Sequence, residues 1–385
     1  MIAAARPIHH PADARVLHVD ADGRLSHHDR RDWLTLLRPG DVVIANDAAT
    51  IPASLRGTHL PTGRAIEVRL AGRDSILPAT IDRVSAIVFG EGDYRTPTER
   101  RTPPPVLRPG DGLALGPVTA RVTEILGHFR FVTVEFEASP ARIWEAIARH
   151  GRPVQYAHVP EPLAVWDTWT ALAARPVAFE PPSAGFALTW AAVAALTARG
   201  IRFATLTHAA GLSSTGDPSL DARLPLDEPY DIPRSTARLV NRARPHRRRI
   251  VAIGTSVVRA LEHAARATGG VRAGHGLATG RLGPGSRLQV VDALLSGTHE
   301  PGTSHYQLLR AFVPDAILTR IDAELESGHY RTHEFGDSIF VETSRDSGSG
   351  IRHPVPGARR PALGTRNRNG RFNSTLNPEL LNPEP

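Results

Sequence analysis

The stretch Ile250-Val251-Ala252-Ile253-Gly254-Thr255-Ser256 constrains the fold of this chain more than any other. Its four consecutive apolar residues, three of them β-branched, are too few for a helix and suit a strand buried on both faces. Beyond Gly254, residues Val257, Val258, Leu261 and Ala265 recur at helical spacing, with Arg259, Glu262 and Arg266 expected on the outer side. A strand therefore feeds a helix through three small residues, and Thr255 or Ser256 is placed to cap it. Free N–H groups at such a helix start, with two hydroxyls beside them, suit a carboxylate or phosphate, although capped turns of this kind occur throughout α/β folds.

The same reading extends along the chain. Val16–Val19, Asp41–Asp47, Ile201–Leu206 and Leu288–Val291 read as further strands, and Phe335–Val341 as the last ordered piece. Short helices follow around Trp33, after Ser139-Pro140 and after Thr189. From about 61 to 136 the pattern changes to short alternating segments such as Ile66, Val68, Leu70 and Val132, Val134, Phe136, broken by Gly and Pro. Such alternation with frequent turns predicts a small antiparallel β barrel. The fold class expected is thus α/β: a parallel-sheet main domain over 1–60 and 137–342, with an inserted antiparallel β-barrel domain over 61–136. Residues 343–385 turn to Ser, Gly, Pro, Asn and Arg and carry seven arginines against Asp346, Glu379 and Glu384, so they read as a disordered basic tail.

Composition excludes several classes of function. There is no cysteine, which removes disulfides, thiol catalysis and cysteine metal sites. No run approaches the ~20 apolar residues of a membrane span, and Met1–Arg6 is too short for a signal peptide, so a cytoplasmic location is expected; a monomer is expected separately. The formal charge of +7 allows a nucleic-acid partner without demanding one. The densest basic patch outside the tail is Arg242, Arg244, Arg247, Arg248 and Arg249, equally readable as a solvated loop or a phosphate-contacting surface. A dinucleotide fingerprint, a Walker loop and a Gly-x-Ser-x-Gly elbow are missing from the folded part. His9-His10 and His27-His28 read as surface histidines, and no metal is expected. What remains is a crevice at the carboxyl ends of strands. Asn46 and Asp47 end one strand, the loop from Thr207 to Gly216 contains His208 and Gly211, and a second Gly-Thr-Ser, Gly302-Thr303-Ser304, follows His299.

Several segments carry a resemblance to a known family: Asp13-Ala14-Arg15, Pro39-Gly40-Asp41, Asn46-Asp47, Ile51-Pro52-Ala53 and Pro182-Ser183-Ala184-Gly185. With them go Gly254 to Glu262, Val291 to Leu295, His299 with Pro301, and Phe335-Gly336-Asp337. In this order, from about Asp13 to Val341, they resemble the S-adenosylmethionine:tRNA ribosyltransferase-isomerase family of queuosine biosynthesis. The resemblance implies an α/β domain with an inserted barrel. It also implies transfer and isomerisation of the ribosyl moiety of S-adenosylmethionine, as co-substrate, onto the 7-aminomethyl-7-deazaguanine base in a tRNA anticodon stem-loop. Epoxyqueuosine-tRNA would form, with release of adenine and methionine.

That chemistry requires a base for the proton acidified by the sulfonium, an acid for departing adenine and an anchor for the methionine carboxylate. The expected base is His208 or His299 and the expected acid Asp337 or Glu228; the Thr255-Ser256 helix start with Arg259 is the expected anchor. Asn46, Asp47, Ser183, Gly185, Gly211, Gly254, Thr303 and Ser304 are the other expected substrate contacts. The chain departs from the family's motifs at Ala187, where a histidine is usual, at Ala49 in place of an arginine, at Leu226 in place of a histidine, and at Gly302 in place of a lysine. Those departures leave two further readings open: a diverged relative that binds S-adenosylmethionine but modifies another acceptor, and a non-catalytic nucleotide- or RNA-binding protein.

Overall fold

A computed structural model describes residues 2–4 and 13–343, so the expected basic tail, Thr343 apart, lies outside the described residues. Its centre is a nine-stranded sheet ordered Gly274–Ala278, Glu228–Ile232, Arg202–His208, Val42–Asn46, Ile250–Ile253, Ala293–Gly297, Ser338–Glu342, Arg15–Val19 and Leu25–Asp29. The four middle strands from Arg202–His208 to Ala293–Gly297 run parallel, as expected. Antiparallel pairings flank them on both sides, so the sheet is mixed.

Period-two alternation decides which side chains face which layer. Val42, Ile44, Ile250 and Ala252 join one apolar cluster with the helices Arg234–Ala243, Thr255–Ala265 and Asp315–Ser327. Their neighbours Val43, Ala45, Val251 and Ile253 face the opposite side, against Trp33, Leu188 and Leu196. Covering both faces is what permits the four-residue apolar strand Ile250–Ile253.

The turn after that strand differs in detail from the sequence expectation. Gly254 itself occupies the cap position of Thr255–Ala265, at φ 97 and ψ 150, and no side chain caps the helix. That backbone region is essentially restricted to glycine. Arg259 and Glu262, expected on the outer side, are buried. Each has a reason: Arg259 pairs with Glu228. Glu262 accepts the N–H groups of Gln289, Val290 and Val291 at 2.7, 2.9 and 2.9 Å. The second contact set also corrects the expected strand at Leu288–Val291, because N–H groups aimed at one carboxylate are not available to a sheet. The strand begins instead at Ala293.

The insertion is a closed antiparallel barrel of Ser54–His59, Arg64–Gly72, Arg83–Phe89, Phe131–Phe136, Val118–His128 and Gly112–Leu115. Its first strand thus starts ahead of residue 61. Helix Pro140–His150 lends Ile143, Ala146 and Ile147 to the barrel core, as does the loop beyond Arg202–His208 through Leu212 and Leu220. That loop consequently sits in the seam between sheet and barrel. No helix among the described residues is long and apolar enough to cross a membrane.

At the opposite end of the central strands, Arg249 binds Asp41 at 2.6 Å and Glu342 at 2.9 Å. Glu342 also takes Arg38 at 2.8 Å and His18 at 3.2 Å. Arg249, and Arg244 through the carbonyls of Gly269 and Gln289, are therefore structural members of the basic patch.

Two outcomes follow. Gly254→Ala should lower stability by about 1 to 3 kcal/mol through backbone strain alone, since the added Cβ would meet nothing nearer than Ala184 at 3.5 Å; an unchanged urea midpoint would refute this. Burial opposes ionisation of Glu342, but His18, Arg249 and Arg38 prevail and hold its carboxyl down at about 2. A depressed carboxyl stabilises the fold above its unfolded value near 4.5 and loses that contribution as pH falls toward 2. Glu342→Gln should thus cost roughly 2 to 3 kcal/mol at pH 7, the gap to the unmodified protein closing between pH 4.5 and 2 in urea titrations.

Candidate active site

Loops leaving the carboxyl ends of the parallel strands enclose a cavity of about 310 Å³. Of the residues expected from sequence, Ser183, Gly211, Glu228, Thr255, Ser256, Arg259, His299, Thr303 and Ser304 line it. The helix start after Ile250–Ile253 and the loop after Ala293–Gly297 therefore open on one space. Thr255 and Ser256, in the first turn of Thr255–Ala265, both line it, and the Ser256 hydroxyl accepts from Asn46 Nδ2 at 3.3 Å.

The second Gly-Thr-Ser behaves differently. Thr303 is the true cap of Ser304–Leu309, its hydroxyl accepting from Tyr306 N at 3.3 Å and donating to the Glu300 carbonyl at 2.9 Å. With that hydroxyl engaged, the two tripeptides share a sequence but not a role.

Arg259 and Glu228 form a buried ion pair. The guanidinium also donates to the carbonyls of Leu226 and Ala278 at 3.1 and 3.0 Å, while Glu228 accepts Gly211 N at 2.7 Å. Arg259 thus positions Glu228 while itself lining the cavity. Burial raises the Glu228 carboxyl despite Arg259. His208 lies behind this pair, fully buried, with Nε2 3.5 Å from Glu228, and is absent from the cavity lining. Burial, then Arg259, pushes its pKa far below the usual value.

Other expected residues hold the framework. Asn46 Oδ1 accepts the N–H groups of Ala48 and His208 at 3.0 and 2.9 Å. Asp47 takes the hydroxyls of Thr205 and Thr207 at 2.7 and 2.6 Å. Gly185 packs where a Cβ would sit 2.9 Å from Thr170, and Gly254 makes the turn described above. Asp337, expected as an acid, has a fully buried carboxylate that accepts the N–H groups of Arg15 and Arg331, each at 2.8 Å, and lies outside the cavity lining. The guanidiniums of Arg15 and Arg331 each lie 3.3 Å from it.

His299 lines the cavity with its ring stacked on His305, centroids 4.4 Å apart, and Nε2 3.1 Å from Ser296 Oγ. Burial, His305 and His333 together hold its pKa far below the ordinary value, so the imidazole is neutral and keeps a lone pair. Burial also lowers His305 to about 4.

Sequence reasoning overlooked several lining residues. Glu180 bonds the Tyr156 hydroxyl at 2.5 Å and Ser213 N at 3.0 Å, and burial followed by the nearby Glu334 charge raises its pKa to about 7. It follows directly on Phe179, ahead of two prolines, inside what reads as a connector. His305, His333 and Glu334 also face the cavity. The first follows Ser304 immediately and the others precede Phe335-Gly336-Asp337, so adjacency to recognised motifs is the signal that could have found them.

Comparison with known proteins identifies the family. A profile of the family described as queuosine biosynthesis protein matches residues 1–341. The S-adenosylmethionine:tRNA ribosyltransferase-isomerase of Sorangium cellulosum is 33% identical over 334 residues, covering 81% of this chain and 86% of its own. The protein of the same name from Geobacter sulfurreducens is 31% identical over 320 residues, covering 81% and 87%. The crystal structure of an S-adenosylmethionine tRNA ribosyltransferase from Thermotoga maritima covers 88% of this chain and 96% of that chain at 21% identity, with a TM-score of 0.46. Since the match runs across nearly all of the described residues, the chain belongs to the queuosine biosynthesis protein family.

Proposed function

We propose that this chain transfers and isomerises the ribosyl moiety of S-adenosylmethionine onto the 7-aminomethyl-7-deazaguanine base of tRNA, releasing adenine and methionine. The observation that carries the reading is the neutral His299 and the high-pKa Glu180 lining one cavity with the Thr255-Ser256 helix start.

A proton beside a sulfonium is acidic enough for a side-chain base to remove. Of the two candidate histidines, His299 has access to the cavity and His208 does not, which supports His299 as the base. Its depressed pKa keeps it unprotonated at neutral pH but makes it a weak base, so the sulfonium must supply much of the driving force. Glu180, with a pKa of about 7, is half protonated near neutrality and suits proton delivery to departing adenine. The methionine carboxylate is anchored at the N–H groups of Thr255-Ser256, where the helix dipole favours negative charge.

Adenine release from S-adenosylmethionine in the presence of precursor-modified tRNA tests this assignment. His299→Ala should reduce kcat/KM by roughly 10² to 10⁴; turnover equal to the unmodified protein would remove His299 as base. Because the acid must carry its proton, kcat/KM should decline as pH rises through about 7, and Glu180→Gln should be slower and lack that decline. Retention of the same descending limb in the glutamine variant would overturn the role of Glu180.

A further inference from the structure

The seam between sheet and barrel gathers three residues to which the ribosyl-transfer reading gives no binding or proton-transfer role, although two of them, His333 and Glu334, also face its cavity. His158, from the segment after Pro140–His150, meets His333 and Glu334, from the turn before Ser338–Glu342. One potential ligand atom from each lies within 4.8 Å of the others. His158 Nε2 and Glu334 Oε2 are 3.4 Å apart. Two donors each about 2.1 Å from a tetrahedral ion stand about 3.4 Å from one another, so this pair already has the required spacing. The two imidazoles stack with centroids 4.2 Å apart and planes 18° from parallel.

We propose that His158, His333 and Glu334 form a site for a single divalent cation of the zinc class. This departs from the expectation of a metal-free protein: His158 and Glu334 stand 176 residues apart in the chain and meet only in the fold. Two neutral imidazoles and one carboxylate carry one negative charge, leave a dication's charge only partly neutralised, and complete three of four tetrahedral positions. The remaining position has room, because all three residues line a cavity of about 310 Å³ together with Tyr156, Ser213 and Ser214. A water or another oxygen donor would fill it.

Two features separate the cluster from an ordinary ion pair. Pairing of His158 with Glu334 explains nothing about His333, which is held at φ 70, a left-handed conformation costly to a non-glycine residue. The His333 carbonyl accepts Gly336 N at 3.0 Å, which fixes the turn that delivers the ring. Outer partners are also present: Glu300 lies 3.8 Å from His333 Nε2, and the Tyr156 ring stacks on His158 at 6.0 Å.

Titration of the chelator-treated full chain with Co²⁺, in the absence of any substrate, tests the site independently of ribosyl transfer. One equivalent should bind and give visible d–d absorption of a tetrahedral nitrogen and oxygen environment, discharged by Zn²⁺. Glu334→Gln, which keeps the side-chain shape, and the double variant His158→Ala/His333→Ala should each weaken binding by at least 100-fold, with circular dichroism reporting their folding. His27→Gln, altering a surface histidine, should leave binding intact. Failure of the unmodified chain to bind one equivalent would overturn the proposal, as would a spectrum and affinity unchanged in the folded double variant.

Discussion

The buried pair of Arg259 with Glu228 is the interaction around which the cavity is assembled. Arg259 issues from the helix that follows the central strand, and its guanidinium gathers carbonyls from Leu226, Ala278 and Gly280. Glu228 passes the connection on to Gly211 in the loop between sheet and barrel. One charge pair thus joins the helix, the antiparallel edge of the sheet and the loop roofing the site. Buried pairs of this sort contribute little net stability against an apolar replacement, because both ions must be stripped of water. Their value here is geometric: each donor and acceptor has one place to go, so the loop has one position.

Around that anchor the cavity is electrostatically quiet for a site with so many ionisable groups. His299 and His305 are neutral chiefly through burial, reinforced at His299 by the neighbouring His305 and His333 and at His305 by Arg259, and Glu180 is poised between its two states. A sulfonium brought into such surroundings meets few fixed cations, and the proton transfers needed are between groups whose environments have already separated their affinities. The charged contacts that do persist, at Asp337 and at Glu342, are spent on the framework, where they clamp strand ends.

Much of this was readable in the sequence, for local reasons. Ile250 to Ser256 announces its own structure because apolar run, glycine and first helical turn are all contiguous. The barrel strands are similarly local, since alternation and turns need no distant partner. Leu288–Val291 misled because its backbone is claimed by Glu262, a residue on another element whose pattern position looks solvent-facing. Asp337 misled for the converse reason: a motif carboxylate resembles a catalytic one until Arg15, from the far end of the chain, is seen to hold it. Glu180 was hidden by composition, since its proline neighbours mark a connector and say nothing of the carboxyl between them. The loop from Thr207 to Gly216 was therefore visible, while Glu180, the acid proposed above, depended on long-range packing.

The ring of six strands has a consequence for how the chain survives its own synthesis. Every strand in that ring has a partner on both sides, so once closed the insertion offers no row of bare amides to a passing polypeptide. In the large sheet only Gly274–Ala278 and Leu25–Asp29 are terminal. The former reads Gly-His-Gly-Leu-Ala and the latter Leu-Ser-His-His-Asp. Short ribbons interrupted by glycine, or studded with histidine and ending in a charge, make poor templates for amyloid-like growth.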